Sequence, residues 1–420
     1  MRLIWFSHFV PFPPRGGAPQ RSFNLLRRAS RSHEIILVAL NHAGETGQQI
    51  ANSLKELKKY CAEAEVWDLP YRWKGRRWWA QLVASPFYRA PFGCQAVWSS
   101  NLNARWQDIL RLHPDAFVHF DASDLALFIP AAKNRKKVLN HHNCESAMAY
   151  RRAQKETNPL KRTYLWHQAR KLAHVEREIC HQFDVNLAVS ESDARLLLSR
   201  SPAAHIHIVP NGTDTDYFTP SESAEDDNTL IFAGSLRWYP NISAVYFFMR
   251  EVWPSVKQEQ PTARLCVAGQ FPSERLTRWL RQHRDVEVVA SPEDIRPYVT
   301  RAAAFVCPIL DGGGTRVKIL DAMAMGKAIV STSIGCEGLA VKHGESILIA
   351  DSPSEFARDV VDILRNPALR KQLGRAGRSL VEKGYCWEVV GAKLEQAYRC
   401  TLDRSICQEP AVGRLAVNQR

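Results

Sequence analysis

Residues 305–339, FVCPILDGGGTRVKILDAMAMGKAIVSTSIGCEGL, concentrate the groups able to do chemistry. The apolar run from Phe305 to Leu310 has the length and composition of a buried strand. Gly312, Gly313 and Gly314 follow it, and glycines free the backbone to turn its N–H groups toward a ligand. A helix beginning near Thr315 is predicted, with Val317, Leu320 and Ala324 on its apolar face and Gly326 as its terminator. A glycine loop between a strand end and a helix start suits a phosphate, because the helix dipole and the free N–H groups favour an anion. Arg316 and Lys318, in the first turn, oppose that dipole unless they share a polyanion. Asp321 offers a carboxylate of the kind that accepts hydrogen bonds from a sugar diol. A solvated charged helix beside a turn is the alternative reading of the same residues.

A second set of polar residues, His141-His142-Asn143-Cys144-Glu145-Ser146, follows an expected strand at Lys137–Asn140. Open α/β sheets place their sites just past the carboxyl ends of strands; a capped strand end with a loop histidine is the plain alternative. Gly16 and Gly17 form a further glycine pair after the expected first strand, Leu3–Phe6.

These segments need a doubly wound scaffold, and the chain alternates accordingly. A helix from Asn24 to Ser32, a buried strand from His33 to Leu40 and a helical pattern over 47–65 open the first half. Strands at Ala116–Phe120 and Lys137–Asn140 come next, then one long basic helix or two over 147–182. Strands at Phe183–Val189 and His205–Val209 complete the half, with Ser190 or Ser192 capping the helix between them. Glu222–Asn228 reads as a linker, after which the alternation restarts: TLIFAG, a helix from Ser243, a strand from Ala263, a helix from Ser273, a strand from Val286 and a helix from Glu293. Ala328–Ser331 is a further strand and Trp387–Leu402 a last helix. Two α/β domains are therefore expected, residues 1–210 and 211–386, with a terminal helix over 387–404 and a tail over 405–420.

The 420 residues carry 10 cysteines without a C-x-x-C pair, and free thiols in a reducing cytoplasm are expected. No Cys/His cluster has metal-ligand spacing, and no apolar run is long enough for a membrane helix. Residues 1–210 hold 30 Lys+Arg against 17 Asp+Glu, whereas residues 211–420 hold 26 of each. The net charge of +13 thus belongs to the first half, which should meet something anionic: a membrane surface, a lipid-linked pyrophosphate or, with no recognisable motif for it, nucleic acid. Residues 71–93 mix five basic residues with seven aromatics and no acid, a composition suited to an anionic membrane interface or to the border of an acceptor pocket. Ordinary packing of those aromatics inward is the alternative.

LDAMAMGKAIVSTSIGCEGL resembles the donor-binding segment of retaining glycosyltransferases of the GT-B fold, family 4 type. GGGTRVK is similar to a bacterial subgroup linked to exopolysaccharide assembly, as are HHNCES and ARKLAHVEREICHQFDVNLAVSESDA. The resemblance implies an α/β fold of two Rossmann-like domains facing a cleft. It also implies a nucleotide-diphosphate sugar donor held mainly by the second domain, a saccharide or lipid-linked acceptor held by the first, retention of configuration, and neither a metal nor a separate cofactor. It implies that Gly16 and Gly17 approach the donor diphosphate and that His142 faces the reacting sugar, with Asn143 and Glu145 beside it. Arg316, Lys318, Gly313, Gly314 and Thr315 would hold the diphosphate, Asp321 the ribose, and Glu337 the edge of the donor pocket. Pro210-Asn211-Gly212-Thr213-Asp214 resembles the family's interdomain turn.

Two departures stand out. The family's Gly-Arg-Leu and its following Lys are here Gly234-Ser235-Leu236 and Trp238-Tyr239-Pro240-Asn241, so the missing charges fall to Arg316 and Lys318. Of the family's paired glutamates, the second aligns with Asp321 and the first with Gly313, which leaves Asp311 as the nearby substitute. A nucleotide-sugar epimerase or hydrolase on the same fold is the alternative activity, and an anionic-polymer-binding protein the alternative class.

Overall fold

The computed structural model describes residues 1–69, 75–221 and 225–403. The chain divides into two compact units, Met1–Pro210 joined by the segment from Val390 onward, and Asn211–Val389. Each is a wholly parallel sheet flanked by helices. Strands of such sheets are covered on both faces and read as continuous apolar runs. RLIWFS and AAAFVC behave in this way, with every residue after Arg2 in the first and all six in the second buried.

The first unit holds seven strands: β1 Arg2–Ser7, β2 Glu34–Asn41, β3 Glu63–Asp68, β4 Phe117–Phe120, β5 Lys137–Asn140, β6 Val185–Ala188 and β7 Ile206–Ile208. Their order is β3-β2-β1-β4-β5-β6-β7. Ser7 pairs with Ala39 on one side of β1, and Phe6 with Phe120 on the other. The second unit holds β8 Asp226–Ala233, β9 Arg264–Gly269, β10 Val286–Ala290, β11 Ala302–Cys307, β12 Ala328–Ser331 and β13 Leu348–Ile349, in the order β10-β9-β8-β11-β12-β13. In both sheets the chain winds outward from its first strand and then returns to that strand's other side. This creates a topological switch point, between β1 and β4 in one unit and between β8 and β11 in the other. Such points leave a crevice beyond the strands' carboxyl ends.

Three helices matter most for the site: α1 Gly17–Ala29, α2 Val317–Ala324 and α3 Trp387–Leu402. Residues 70–74, 222–224 and 404–420, which include part of the basic aromatic segment, part of the expected linker and the expected tail, lie outside the described residues.

Several boundaries differ from the sequence reading. The helix expected from Asn24 begins at Gly17, with Gly16 at its N-cap in a left-handed conformation (φ 98°), so the glycine pair is a helix start and not a free loop. Pro19 is tolerated in that first turn because its missing N–H would have had no helical partner. The helical pattern over 47–65 is a helix only to Leu57, and then gives way to β3, an edge strand whose charged alternate positions disguised it. The expected linker overlaps β8, which starts at Asp226. The helix expected from Ser243 starts at Tyr239, and the one expected from Glu293 starts at Arg296. The strand expected over 305–310 is β11, which ends at Cys307 because Pro308 has no N–H for the ladder. The basic helical stretch is two helices, Glu145–Lys155 and Pro159–Cys180. Ser190 caps Glu191–Arg200 by accepting the Asp193 N–H at 3.1 Å.

Candidate functional site

In the second unit the glycine loop stands at the carboxyl end of β11 and the Gly234-Ser235 turn at the end of β8, the two strands that flank the switch point. Gly312 and Gly314 take φ of 122° and 68°, which L side chains rarely adopt, so this loop requires glycine at both. α2 begins at Val317 with Arg316 as its N-cap and no side-chain cap, and it ends where Gly326 donates to Met323 O at 2.9 Å with φ 70°.

Lys318 reaches back from α2 to the β8 turn. Its Nζ donates to Asn241 Oδ1 at 2.7 Å and lies 4.7 Å from the centre of the Phe232 ring. A Cβ at position 234 would strike both this amine and the Asn241 amide, so Gly234 makes room for them. Asn241 Nδ2 donates to Ser235 O at 2.8 Å, so one side chain fastens the amine and the turn together. Burial, with Arg316 as a neighbouring like charge, brings the Lys318 pKa down from 10.5 to about 8. Arg316 is buried and folds back on its own loop, donating from Nη1 to Gly313 O and, at 2.5 Å, to Gly314 O. Its guanidinium lies 6.0 Å from the centre of the Trp238 ring.

The carboxylates are placed differently. Asp321 Oδ1 accepts from Thr213 Oγ1 at 2.6 Å, and burial, with Asp214 nearby, raises its pKa to about 7. Asp311 is buried, accepts from Tyr239 Oη, and accepts the Gly312 N–H at 2.7 Å. Thr315 Oγ1 accepts from Asn211 Nδ2 at 2.7 Å, so the expected interdomain turn is tied to the glycine loop. Glu337 lies half-buried in the turn after β12, one strand away from β11.

The first unit gathers its polar residues at its own switch point. His8 follows β1, His42 follows β2, Asp121 follows β4 and His142 follows β5. Asp121 is wholly buried and accepts from Asn140 Nδ2 at 2.7 Å and from Ser7 Oγ at 3.2 Å. Burial alone would raise its pKa; the neighbouring His119 and His142 outweigh that and hold it below the usual carboxylate range. Asn140 Oδ1 accepts from Nε and Nη2 of the buried Arg21 at 3.1 and 2.8 Å, and Arg21 Nη1 donates to Pro210 O at 2.9 Å. His142 Nε2 donates to Asp121 O at 2.8 Å, while its buried Nδ1 has no hydrogen-bond partner among the described residues. Burial lowers the His142 pKa, so its imidazole is neutral near pH 7. Asn143 Nδ2 donates to Glu145 Oε1 at 3.1 Å, and burial, with Asp124 nearby, raises the Glu145 pKa to about 8. From α3, Tyr398 Oη lies 2.9 Å from His119 Nδ1, and His119 Nε2 is 3.7 Å from Asp121 Oδ1.

The structure therefore brings Lys318, Arg316, Asp311, Thr315, Asp321, Ser235 and the loop glycines to one switch point, and His142, Asn143 and Glu145 to the other. Gly16 and Gly17 open α1, whose N-cap is likewise without a side-chain hydrogen bond. The sequence reading missed Asn241, Arg21, Asp121 and His8. Two of the four, Asp121 and His8, stand just beyond a strand, so the carboxyl-end rule that singled out His142 also covers them; Asn241 and Arg21 lie near the starts of helices. Among the described residues, no group of three or more His, Cys, Asp or Glu is placed to hold a metal ion. The nine described cysteines are free thiols, and no described helix is long and apolar enough to cross a membrane.

Two parallel, doubly wound units with a glycine loop at a strand-end switch point define a class, the GT-B fold of glycosyltransferases. Residues 15–217 match the family model described as Glycosyltransferase Family 4, and residues 227–366 the one described as Glycosyl transferases group 1. Both units thus match models of glycosyltransferase families. It is 26% identical over 267 residues to an uncharacterised 44.6 kDa protein in the cps region of Klebsiella pneumoniae, covering 60% of this chain and 66% of that one. It is 25% identical over 241 residues to a GDP-mannose-dependent monoacylated alpha-(1-6)-phosphatidylinositol monomannoside mannosyltransferase of Corynebacterium glutamicum, covering 52% and 62% respectively. The matched stretch therefore spans less than two thirds of either relative. Among solved structures, Anabaena Alr3699/HepE in complex with UDP superposes with a TM-score of 0.66 at 12% identity, covering 95% of this chain and all of that one. TarM superposes with a TM-score of 0.67 at 9% identity, covering 94% and 98%.

Proposed function

We propose that this chain transfers a sugar from a nucleotide-diphosphate donor to a saccharide or lipid-linked saccharide acceptor, with retention of configuration, in bacterial exopolysaccharide assembly. The observation that carries this reading is the Lys318 amine held against the Gly234-Ser235 turn beside the glycine loop. The family's turn arginine and following lysine are absent, and an ammonium from α2 stands at that turn instead. The UDP complex of the HepE neighbour supports a nucleotide-sugar donor.

In this reading the breaking bond joins the sugar's anomeric carbon to the diphosphate oxygen, and negative charge grows on the diphosphate. Lys318 and the N–H groups of Gly313, Gly314 and Thr315 stabilise that charge before the bond has fully broken, which lowers the barrier. Arg316 keeps the loop in shape through its bonds to the Gly313 and Gly314 carbonyls and adds positive potential. Asp321 accepts from the ribose, and Asp311 stands where the first glutamate is missing. Gly16 and Gly17 add N–H groups on the diphosphate, Glu337 borders the donor, His142 faces the reacting sugar, and Asn143 and Glu145 serve the acceptor. The donor site uses protein cations, so chelators should leave its rate unchanged.

The test is a thermal-shift panel of UDP-, GDP-, ADP- and dTDP-sugars on wild type, Arg316→Ala and Lys318→Met, followed by release assays with and without glycoside acceptors. A shift with one nucleotide class, abolished by Lys318→Met, supports the donor site. Nucleotide release that needs no acceptor favours the epimerase or hydrolase instead. Salt-sensitive retention on nucleic acid with no sugar-nucleotide binding favours the anionic-polymer reading.

The reading extends to a cytoplasmic enzyme resting on an anionic membrane. Trp78 packs edge-on against Phe92, 5.6 Å between ring centres, so part of the basic aromatic segment faces inward. Trp79, Val83, Phe87 and Tyr88 are exposed, Phe87 at 91%, and Arg76 and Arg89 lie on the same segment. Co-sedimentation with phosphatidylglycerol vesicles at low salt, lost in Trp79→Ser/Phe87→Ser, is the expected result; indifference to such vesicles ends this part of the reading.

A further inference from the structure

The turn after β8 holds an exposed indole in a fixed place. Trp238 is the N-cap of the helix Tyr239–Phe247 and is 43% exposed. Single exposed aromatics are ordinary on a protein surface, so exposure alone assigns nothing. Trp238 differs because its backbone and both its flanks are tied down. Its N–H donates to Ser235 O at 3.2 Å, and its carbonyl accepts from the Asn241 and Ile242 N–H groups at 3.1 and 3.2 Å. On one side Tyr239 Oη donates to Asp311. On the other, Asn241 Nδ2 donates to Ser235 O at 2.8 Å and Asn241 Oδ1 accepts from Lys318 Nζ at 2.7 Å. A ring fixed at its root and open at its face has little left to lose on binding, which is what a preorganised contact needs.

The ring stands against the start of the glycine loop. A Cβ on Gly312 would come within 3.6 Å of Trp238 Cη2, and the Arg316 guanidinium lies over the ring, 6.0 Å from its centre. Among the described residues no other aromatic ring stacks on it, so one face is turned to the loop and a ligand would meet the other.

The same ties take Asp311 out of sugar recognition. Its Oδ1 accepts the Gly312 N–H at 2.7 Å, its Oδ2 accepts from Tyr239 Oη, and the side chain is buried. A buried carboxylate bonded at both oxygens is a strap between the β8 turn and the loop, and not an open acceptor for a diol. The carboxylate absent at position 313 is therefore not restored by its neighbour. An indole borders that part of the loop instead.

We propose that Trp238 is the platform for the donor's sugar, its open face lying against the C–H face of the pyranose, with Tyr239 and Asp311 as positioning residues. The proposal rests on the transfer reading above. In that reading Gly313, Gly314, Thr315 and Lys318 take the diphosphate, and Asp321, further along α2, takes the ribose. The sugar hangs from the diphosphate's other end, away from Asp321, which is the end of Gly312 and Trp238. The face of an indole is the negative pole of its quadrupole and pyranose C–H hydrogens are weakly positive, so the two attract as water leaves both. Such a contact reads the shape of a ring face, where a carboxylate reads hydroxyl donors. An axial hydroxyl on the stacked face disrupts it.

The test compares each nucleotide sugar with its own nucleoside diphosphate, so that the sugar's share of binding is read by itself. UDP-glucose, UDP-galactose, UDP-N-acetylglucosamine, GDP-mannose and ADP-glucose are titrated calorimetrically into the full chain beside UDP, GDP and ADP. For the pair that binds best, the affinity ratio of nucleotide sugar to diphosphate should fall about threefold to tenfold in Trp238→Leu, with the diphosphate's own affinity unchanged. Trp238→Phe should keep most of the ratio. Tyr239→Phe, which releases Asp311, should lower the ratio without touching diphosphate affinity, a split that a merely structural role would not produce. In wild type, NMR should show nuclear Overhauser contacts from the pyranose C–H protons to an indole assigned with Trp238→Phe; this is read without Trp238→Leu and decides the matter even if that variant does not fold. An unchanged ratio in Trp238→Leu, equal weakening of sugar and diphosphate, or indole contacts to the nucleobase in place of the pyranose overturns the proposal and leaves the transfer reading standing. If no nucleotide sugar binds wild type, both fall.

Discussion

Replacing Lys318 by methionine should make the unliganded protein no less stable while destroying its affinity for nucleotides. The folded pKa of about 8 against the ordinary 10.5 means that keeping the amine charged at pH 7 costs about 3 kcal/mol. Removing it strands Asn241 Oδ1, which costs about 1–3 kcal/mol. The balance runs from about 0 to 2 kcal/mol in favour of the variant, or about 0–8 °C in melting temperature for a unit of this size. The same change removes a charge-assisted contact to the diphosphate worth about 1.5–3 kcal/mol, a loss of roughly 10- to 150-fold in affinity. A pH signature separates this from a packing effect. A base whose folded pKa is depressed penalises folding below that pKa, and the penalty is relieved as pH rises toward the unfolded value. Wild type should therefore gain stability relative to Lys318→Met between pH 8 and pH 10.5. Nucleotide binding needs the proton, so wild-type affinity should fall about tenfold per pH unit above 8, and Lys318→Arg should flatten that dependence. Calorimetric titration with UDP and GDP from pH 7 to 9.5, and thermal melts over pH 7 to 10.5, measure all of this. A large drop in melting temperature for Lys318→Met, or a wild-type affinity that ignores pH, refutes the reasoning and returns Lys318 to a structural role.

Three further outcomes follow from the same physics. Glu145, with its folded pKa raised to about 8, carries stability that is fully present below pH 4.5 and is lost as pH rises through 8. Glu145→Gln should remove that decline, as read by urea titrations at pH 4, 6 and 8. Asp121→Ala empties a wholly buried carboxylate position and leaves Asn140 Nδ2 and Ser7 Oγ without their acceptor; a loss of about 3–5 kcal/mol is expected by denaturant unfolding. Phe271 holds φ at 55° with its ring 57% exposed, so Phe271→Gly should stabilise the protein by about 1 kcal/mol, and a lower melting temperature would show that the ring has a packing partner that outweighs the strain.

The place of the candidate groups was legible in the chain itself, because it depends on local rules. A glycine run after an apolar strand and before an amphipathic helix announces a turn with free backbone N–H groups at a strand's carboxyl end. Polar residues just past a strand mark a sheet's carboxyl edge, which is how His142, Asn143 and Glu145 came into view. The charge imbalance of the first half needs only counting. The misread boundaries share a cause too: β3 is an edge strand with charged alternate positions, and α1 starts at glycines that resemble a loop.

Tertiary structure decided which distant residues meet. Lys318 and Asn241 are 77 positions apart, and their bond fixes the ammonium at the β8 turn. Asp121 and Ser7 are 114 positions apart, and Arg21 and Asn140 are 119 apart. Parallel strand order produces these encounters, since β1 lies beside β4 and β8 beside β11 although long stretches of chain separate them. Burial was decided at the same level. It makes Lys318 a weak base and Asp321 and Glu145 weak acids, and it leaves His8 and His142 neutral, because desolvation depends on what surrounds a group and not on its neighbours in the chain.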